Sequence, residues 1–113
     1  MQNQKYTLLA KAYSRNKLIA VGVNDYKKSH PLMHRLAQKV GLPKKIFLHA
    51  EVLALLRCKD QVPTKITVER YNQDGKMALA KPCPICMEAI KLWGVKQVEY
   101  TSKDGWIVCN VDQ

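Results

Sequence analysis

The sequence is short of acid. Nine Asp and Glu stand against nineteen Lys and Arg, giving a formal net charge of +10 in 113 residues. The stretch from Tyr26 to Ala50 contains no acidic residue. Such a balance favours anionic partners and speeds association with them. No apolar run approaches the roughly 20 residues that cross a bilayer, so no membrane-spanning helix is expected. The first residues, Met1-Gln2-Asn3-Gln4-Lys5, lack the apolar stretch of a secretory signal. Cysteine is scarce as well. Four residues, two of them in a metal-spaced pair, point to a reducing compartment rather than a disulfide framework. A cytoplasmic location is therefore the expectation, with Cys58 and Cys109 read as small buried hydrophobes. Repeats, low-complexity tracts and linker-like stretches are also absent. The length suits one domain over residues 1–113 and not two.

What the chain does have is two short chemical stretches, His49-Ala50-Glu51 and Pro82-Cys83-Pro84-Ile85-Cys86. One His and two Cys make three metal ligands, one fewer than a closed tetrahedral zinc site requires. Structural zinc sites are closed, while catalytic ones leave a position for water. Glu51, two residues after the His, is a carboxylate of the kind that moves protons for such a water. Each stretch also looks placed to open a helix. Ala50 to Leu56 is a run of helix formers, apolar apart from Glu51. Pro84 suits a first helical position, which puts Cys86 in the first turn. Helix N-termini carry partial positive charge and favour the thiolate that binds metal. His30 and His34 are four apart and would share a helical face, but no carboxylate or Cys nearby completes a second ligand set.

The rest of the chain reads as strands and helices in alternation. Thr7–Tyr13 and Leu18–Val23 form a hairpin around Ser14-Arg15-Asn16-Lys17, and Asn24 ends the second strand. Met33, Leu36, Ala37 and Val40 recur at helical spacing, stopped by Gly41-Leu42-Pro43. The helix from His49 ends near Cys58. Ile66–Tyr71 alternates as a strand, Asp74-Gly75 centres a turn, and Met77–Ala80 is a short apolar return. A helix from Pro84 to about Trp93 ends at Gly94. Val95–Thr101 and Trp106–Val111 are strands joined at Asp104-Gly105, which makes the last two strands antiparallel.

With these motifs in this order, the chain resembles the zinc-dependent cytidine and deoxycytidylate deaminase superfamily. The resemblance rests on Gly22-Val23-Asn24, His49-Ala50-Glu51 and Pro82-Cys83-Pro84-Ile85-Cys86. It extends to Ala89-Ile90, Gly94-Val95-Lys96 and Val98-Glu99-Tyr100-Thr101. It implies a three-layer α/β/α fold with a five-stranded mixed sheet, the family's first helix being displaced to residues 31–40 or missing. It implies one Zn²⁺ per chain on His49, Cys83 and Cys86, with Glu51 as the catalytic proton carrier. Asn24 matches a residue that contacts the substrate sugar, and Ala50 one whose backbone contacts the base.

Members acting on free cytidine usually carry Cys where this chain has His49. The resemblance therefore favours a cytosine nucleotide, deoxycytidine monophosphate first, with single-stranded DNA or RNA as the alternative. The basic stretch over residues 27–45 would face the phosphate. A zinc-binding module without catalysis is the reading from another class, and retention of Glu51 argues against it. A homo-oligomer without membrane attachment completes the expectations.

Overall fold

The computed structural model describes residues 7–42 and 47–111. Pro43, Lys44, Lys45 and Ile46, and with them part of the basic stretch and of the expected helix stop, lie outside the described residues. Eight elements follow in order: β1 (Leu8–Ser14), β2 (Lys17–Val23), α1 (Pro31–Lys39), α2 (Ala50–Arg57), β3 (Lys65–Arg70), α3 (Pro84–Leu92), β4 (Gln97–Ser102) and β5 (Gly105–Asn110). The strands form one mixed sheet in the order β2-β1-β3-β4-β5. No helix among the described residues is long and apolar enough to cross a membrane.

Turn chemistry sets the hairpins. Arg15 and Asn16 both have positive φ, 51° and 70°, which is the twist that a two-residue β-hairpin requires. Ser14 therefore pairs with Lys17, and β1 runs antiparallel to β2. β1 is also antiparallel to β3. The crossover through α3 makes β3 and β4 parallel over Lys65–Val68 and Gln97–Tyr100. β5 returns antiparallel to β4, with Ser102 opposite Gly105.

The registers align one face of the sheet. Ala10 lies opposite Gly22 and Val68, and Ala12 opposite Ala20 and Ile66. Val98 lies opposite Ile66, and Tyr100 opposite Val68. This face is graded by size: small residues on β1 and β2, large ones on β3 and β4. Helix α2 covers the small half with its own small row, Ala50, Ala54 and Cys58, all buried. Leu32, Met33 and Leu36 of α1 and Ile85, Ala89 and Ile90 of α3 join the larger half in one apolar cluster.

The expected third layer is corrected here. All three helices contribute to that one cluster, and α1, the displaced helix of the sequence reading, packs beside α3. Among the described residues no helix covers the other face, so the arrangement is two-layered. That face alternates in polar groups that an apolar helix would not bury. Lys65 Nζ lies 3.6 Å from Glu99 and 4.9 Å over the Tyr13 ring, and Tyr13, Thr67, Glu69 and Trp106 line an open groove beside them.

One local expectation is refined and one changes. The return Met77–Ala80 meets the segment after β3 in a single bridge, Met77 with Tyr71. Both edges of β3 are already taken by β1 and β4, so the segment is held as a strap, with Ala78 N–H donating to Arg70 O and Ala80 N–H to Thr101 O. Cys58 is buried as expected, but Cys109 is exposed: it lies across from Val98 on the core face, yet β5 is the edge strand and both of its faces stay largely open.

Candidate metal centre and active site

The site forms where two helices start. His49 is the N-cap of α2 and Cys83 the N-cap of α3, both with extended backbone. Pro84 occupies the first position of α3, where its missing N–H leaves no intrahelical bond unmade. Cys86 follows in the first turn. The two helices pack on each other, so their positive ends converge on the same volume.

The three side chains meet there. His49 Nδ1 lies 3.6 Å from Cys83 Sγ and 3.3 Å from Cys86 Sγ, and all three ligand atoms fall within 4.8 Å of one another. Zinc bonds of about 2.3 Å to sulfur and 2.0–2.1 Å to nitrogen at a tetrahedral angle predict an N···S separation of about 3.6 Å. The donor set therefore fits a zinc ion without rearrangement, and Nδ1 is the imidazole atom turned to it. This is the one group of three or more such ligands among the described residues. His30 and His34 do not join it. His30 caps α1, its Nδ1 accepting from Leu32 N–H at 3.0 Å, while His34 Nε2 sits 3.4 Å from Ser29 Oγ.

Burial and charge prepare the sulfurs unequally. Cys83 is pushed down to about 4 by the hydrogen bond it receives from the Cys86 thiol, assisted by His49. Cys86 is fully buried, and burial pushes its thiol up, with the bond to Cys83 adding to the shift. The two shifts run in opposite directions, so Cys83 is the readier of the two to give up its proton. Glu51 is 3% exposed. Burial raises its carboxyl above the usual range, and its Oε1 has no hydrogen-bond partner among the described residues. It lies within hydrogen-bonding reach of Cys86 and close enough to His49 and Cys83 to feel their charges.

Asn24 is brought to the same place by a short backbone ribbon. Asp25 pairs with Leu48 through N–H···O bonds of 2.8 and 3.2 Å. The antiparallel sense puts Asn24 across from His49 and Tyr26 across from Phe47. Asn24 Oδ1 accepts from Leu8 N–H at 3.0 Å, so its oxygen ties the start of β1 to the end of β2. Ala50 is the first residue of α2, where backbone N–H groups have no intrahelical acceptor.

Sequence reasoning missed three residues. Phe47 stacks on His49 with ring centroids 4.3 Å apart and planes 12° from parallel. Tyr26 stacks in turn on Phe47 at 4.6 Å and 31°. The signal was available: Phe47 is the only Phe in the chain and stands two residues, one strand repeat, before His49. Gly22 was noted as part of a motif but not for its reason. A Cβ there would lie 2.4 Å from Ala50 O and 2.6 Å from Ala54 N. A glycine inside a strand often marks such a close backbone approach.

A search of curated proteins returned no match to the chain. A family model did match. The cytidine and deoxycytidylate deaminase zinc-binding region aligns with residues 8–102, a span that holds the ligand cluster, Glu51 and Asn24. With a donor set that fits zinc at the start of two packed helices, and a family match over most of its length, the chain belongs to the cytidine and deoxycytidylate deaminase zinc-binding family.

Proposed function

We propose that this chain is a hydrolytic deaminase that converts a cytosine nucleotide, deoxycytidine monophosphate first, to the uracil nucleotide and ammonia. The observation that carries the reading is Glu51. A carboxyl group with a buried, unpartnered oxygen is costly to retain, and a site that only held metal would not need one. Zinc on His49, Cys83 and Cys86 supplies the Lewis acidity that makes water a nucleophile near neutral pH.

In this reading Glu51 Oε1 takes one proton from the attacking water and delivers it to the ring nitrogen next to the amino-bearing carbon. It then moves the second proton to the amino group, the C–N bond breaks, and ammonia leaves. The raised affinity of Glu51 for protons suits a group that must hold one between these transfers. Cys83 and Cys86 bind as thiolates at the start of α3. Asn24 and the Ala50 backbone contact the sugar and the base. Residues 1–113 act as one domain, assembled as a homo-oligomer in the cytoplasm.

The phosphate preference rests on the loop after Asn24. Lys28 O accepts from Leu48 N–H at 2.7 Å, which holds this loop one residue from His49. Lys27 and Lys28 expose their side chains there. Lys39, by contrast, is engaged with Glu88 at 2.8 Å. The net charge of +10 exceeds what one phosphate needs and favours a second reading, a deaminase of single-stranded nucleic acid.

Ammonia release from the zinc-loaded protein with cytidine, its monophosphates, its triphosphates and single-stranded oligonucleotides separates these. We expect the monophosphate to be turned over best. Equal efficiency on free cytidine at low salt overturns the phosphate argument, and no ammonia from any of them overturns the deaminase reading. On an oligonucleotide, affinity would fall with salt with a logarithmic slope of about −0.7 per phosphate neutralised.

A further inference from the structure

A metal-ligating imidazole is ordinarily held by a hydrogen bond from its second nitrogen to a carboxylate, carbonyl or water. His49 is arranged differently. Its Nδ1 faces both sulfurs, and its buried Nε2 has no hydrogen-bond partner among the described residues. What lies against the ring is a ring. Phe47 covers it at 4.3 Å and 12°, and Tyr26 backs Phe47 at 4.6 Å. The stack runs inward from Tyr26, 37% exposed, to His49, 7% exposed.

A backbone ribbon holds the stack in place. Asp25 and Leu48 are joined by both of their backbone groups, and Leu48 N–H is also shared with Lys28 O. Tyr26 and Phe47 flank that pair on opposite strands, so their backbones cannot slide apart without breaking it. Phe47 and His49, two apart on an extended segment, project to the same side.

We propose that Phe47 is the positioning residue of the zinc site, its π-face taking the place of the usual hydrogen-bonded partner of His49. The physical basis is differential. A free imidazole and a benzene ring stack through weak dispersion and quadrupole terms. An imidazole coordinated to a dication is electron-poor, and its attraction to the electron-rich face of Phe47 gains the character of a cation–π contact. Phe47 therefore stabilises the zinc-loaded imidazole more than the free one, and only such a difference changes metal affinity. The parallel geometry also fixes the ring plane, leaving Nδ1 aimed between the two sulfurs.

The test compares zinc affinity, by competition with a chelator of known strength, and unfolding free energy with and without zinc. The proposal rests on the zinc assignment, so wild-type protein is measured first. Absence of zinc binding there removes the assignment and the proposal together. Given wild-type binding, Phe47→Leu is expected to bind zinc about tenfold more weakly, the lower end of the range for losing an orienting partner, and Phe47→Tyr is expected to restore binding. Cobalt loaded in place of zinc is expected to show an altered ligand-field spectrum in Phe47→Leu.

A residue that only packed would lower the stability of the metal-free and zinc-loaded protein equally and leave affinity unchanged. That result overturns the proposal. Pentafluorophenylalanine at position 47 keeps the shape and reverses the ring quadrupole, so it decides the matter should Phe47→Leu fail to fold. Weakened zinc binding supports the proposal, and wild-type affinity overturns it.

Discussion

Gly22→Ala is the sharpest perturbation the fold offers. The new methyl carbon would stand 2.4 Å from Ala50 O, 2.6 Å from Ala54 N and 3.2 Å from Ala54 Cα. Non-bonded heavy atoms settle at about 3.5–4.0 Å, so β2 and the first turn of α2 must separate by about 1 Å. All three obstructing atoms are backbone, and no side-chain rotation relieves them. Overpacking of this kind typically costs about 1–3 kcal/mol. Restricting the unfolded chain returns about 0.4–1 kcal/mol. The net loss of roughly 1–2 kcal/mol lowers the melting temperature by about 4–16 °C, taking the sensitivity of slightly smaller domains.

The larger consequence is for the metal. Ala50 directly follows His49, and α2 carries Nδ1 on one side of a site whose sulfurs belong to α3. Ligand distances in a working site hold to about 0.2 Å, so a 1 Å displacement of α2 is expected to weaken zinc binding at least tenfold. Differential scanning of the metal-free protein and chelator competition measure the two effects separately. Ala54→Gly is not expected to rescue the variant, because the clash is with the backbone of Ala54 and not its methyl group. A Gly22→Ala protein with wild-type melting temperature and zinc affinity would refute the reasoning.

Further outcomes are expected from the same site. Metal analysis of purified protein should give one zinc per chain, lost in Cys83→Ser and Cys86→Ser; a value near two would bring His30 and His34 back into play. Glu51→Gln should fold and keep its zinc while deamination falls by about 10²–10⁴-fold, and loss of zinc in that variant would instead make Glu51 a ligand. Zinc affinity should rise about tenfold per pH unit from pH 7 to 8.5. Cys83 is already a thiolate there, whereas the proton on Cys86 must leave for metal to bind, so a hundredfold rise per unit would mean that both sulfurs start protonated.

The local features of the site were legible because each is a short-range device. A proline after Cys83 and a run of helix formers after His49 mark helix starts, and ligand types declare metal chemistry. The five strands followed from alternation, and the antiparallel sense of the two hairpins from turn residues; the structure closes these hairpins with Arg15-Asn16 and with Lys103-Asp104, one residue before the expected Asp104-Gly105, while the mixed sheet was implied by the family resemblance. What could not be read was set by long-range neighbours. Whether Met77–Ala80 forms a strand depends on whether β3 has an edge to spare, which only the sheet order decides. Whether Cys109 is buried depends on β5 having a second neighbour. The side of the sheet taken by α1 depends on where Leu32, Met33 and Leu36 find apolar partners, and those partners belong to α3 and to strands far along the chain.

The order of elements then accounts for the site lying where it does. The excursion from β2 through α1 is closed by the Asp25–Leu48 ribbon, which brings the start of α2 back beside the end of β2, and α3 follows β3 through the strap tied to Arg70 and Thr101. Each connection delivers a helix N-terminus to the same region, and the helices then pack on the apolar face of the sheet. Their small and large rows match the graded strands beneath, and Gly22 lets α2 approach β2 closely. The metal ligands sit at the margin of that packing, Cys86 within the apolar cluster and Cys83 against it. They occupy the ends of helices that the core has already positioned, two thiolates offset the charge of one Zn²⁺, and the two helix dipoles favour the charged sulfur over the thiol. The core and the site also meet where Gly22 approaches Ala50, and a single methyl group at that contact is expected to perturb both.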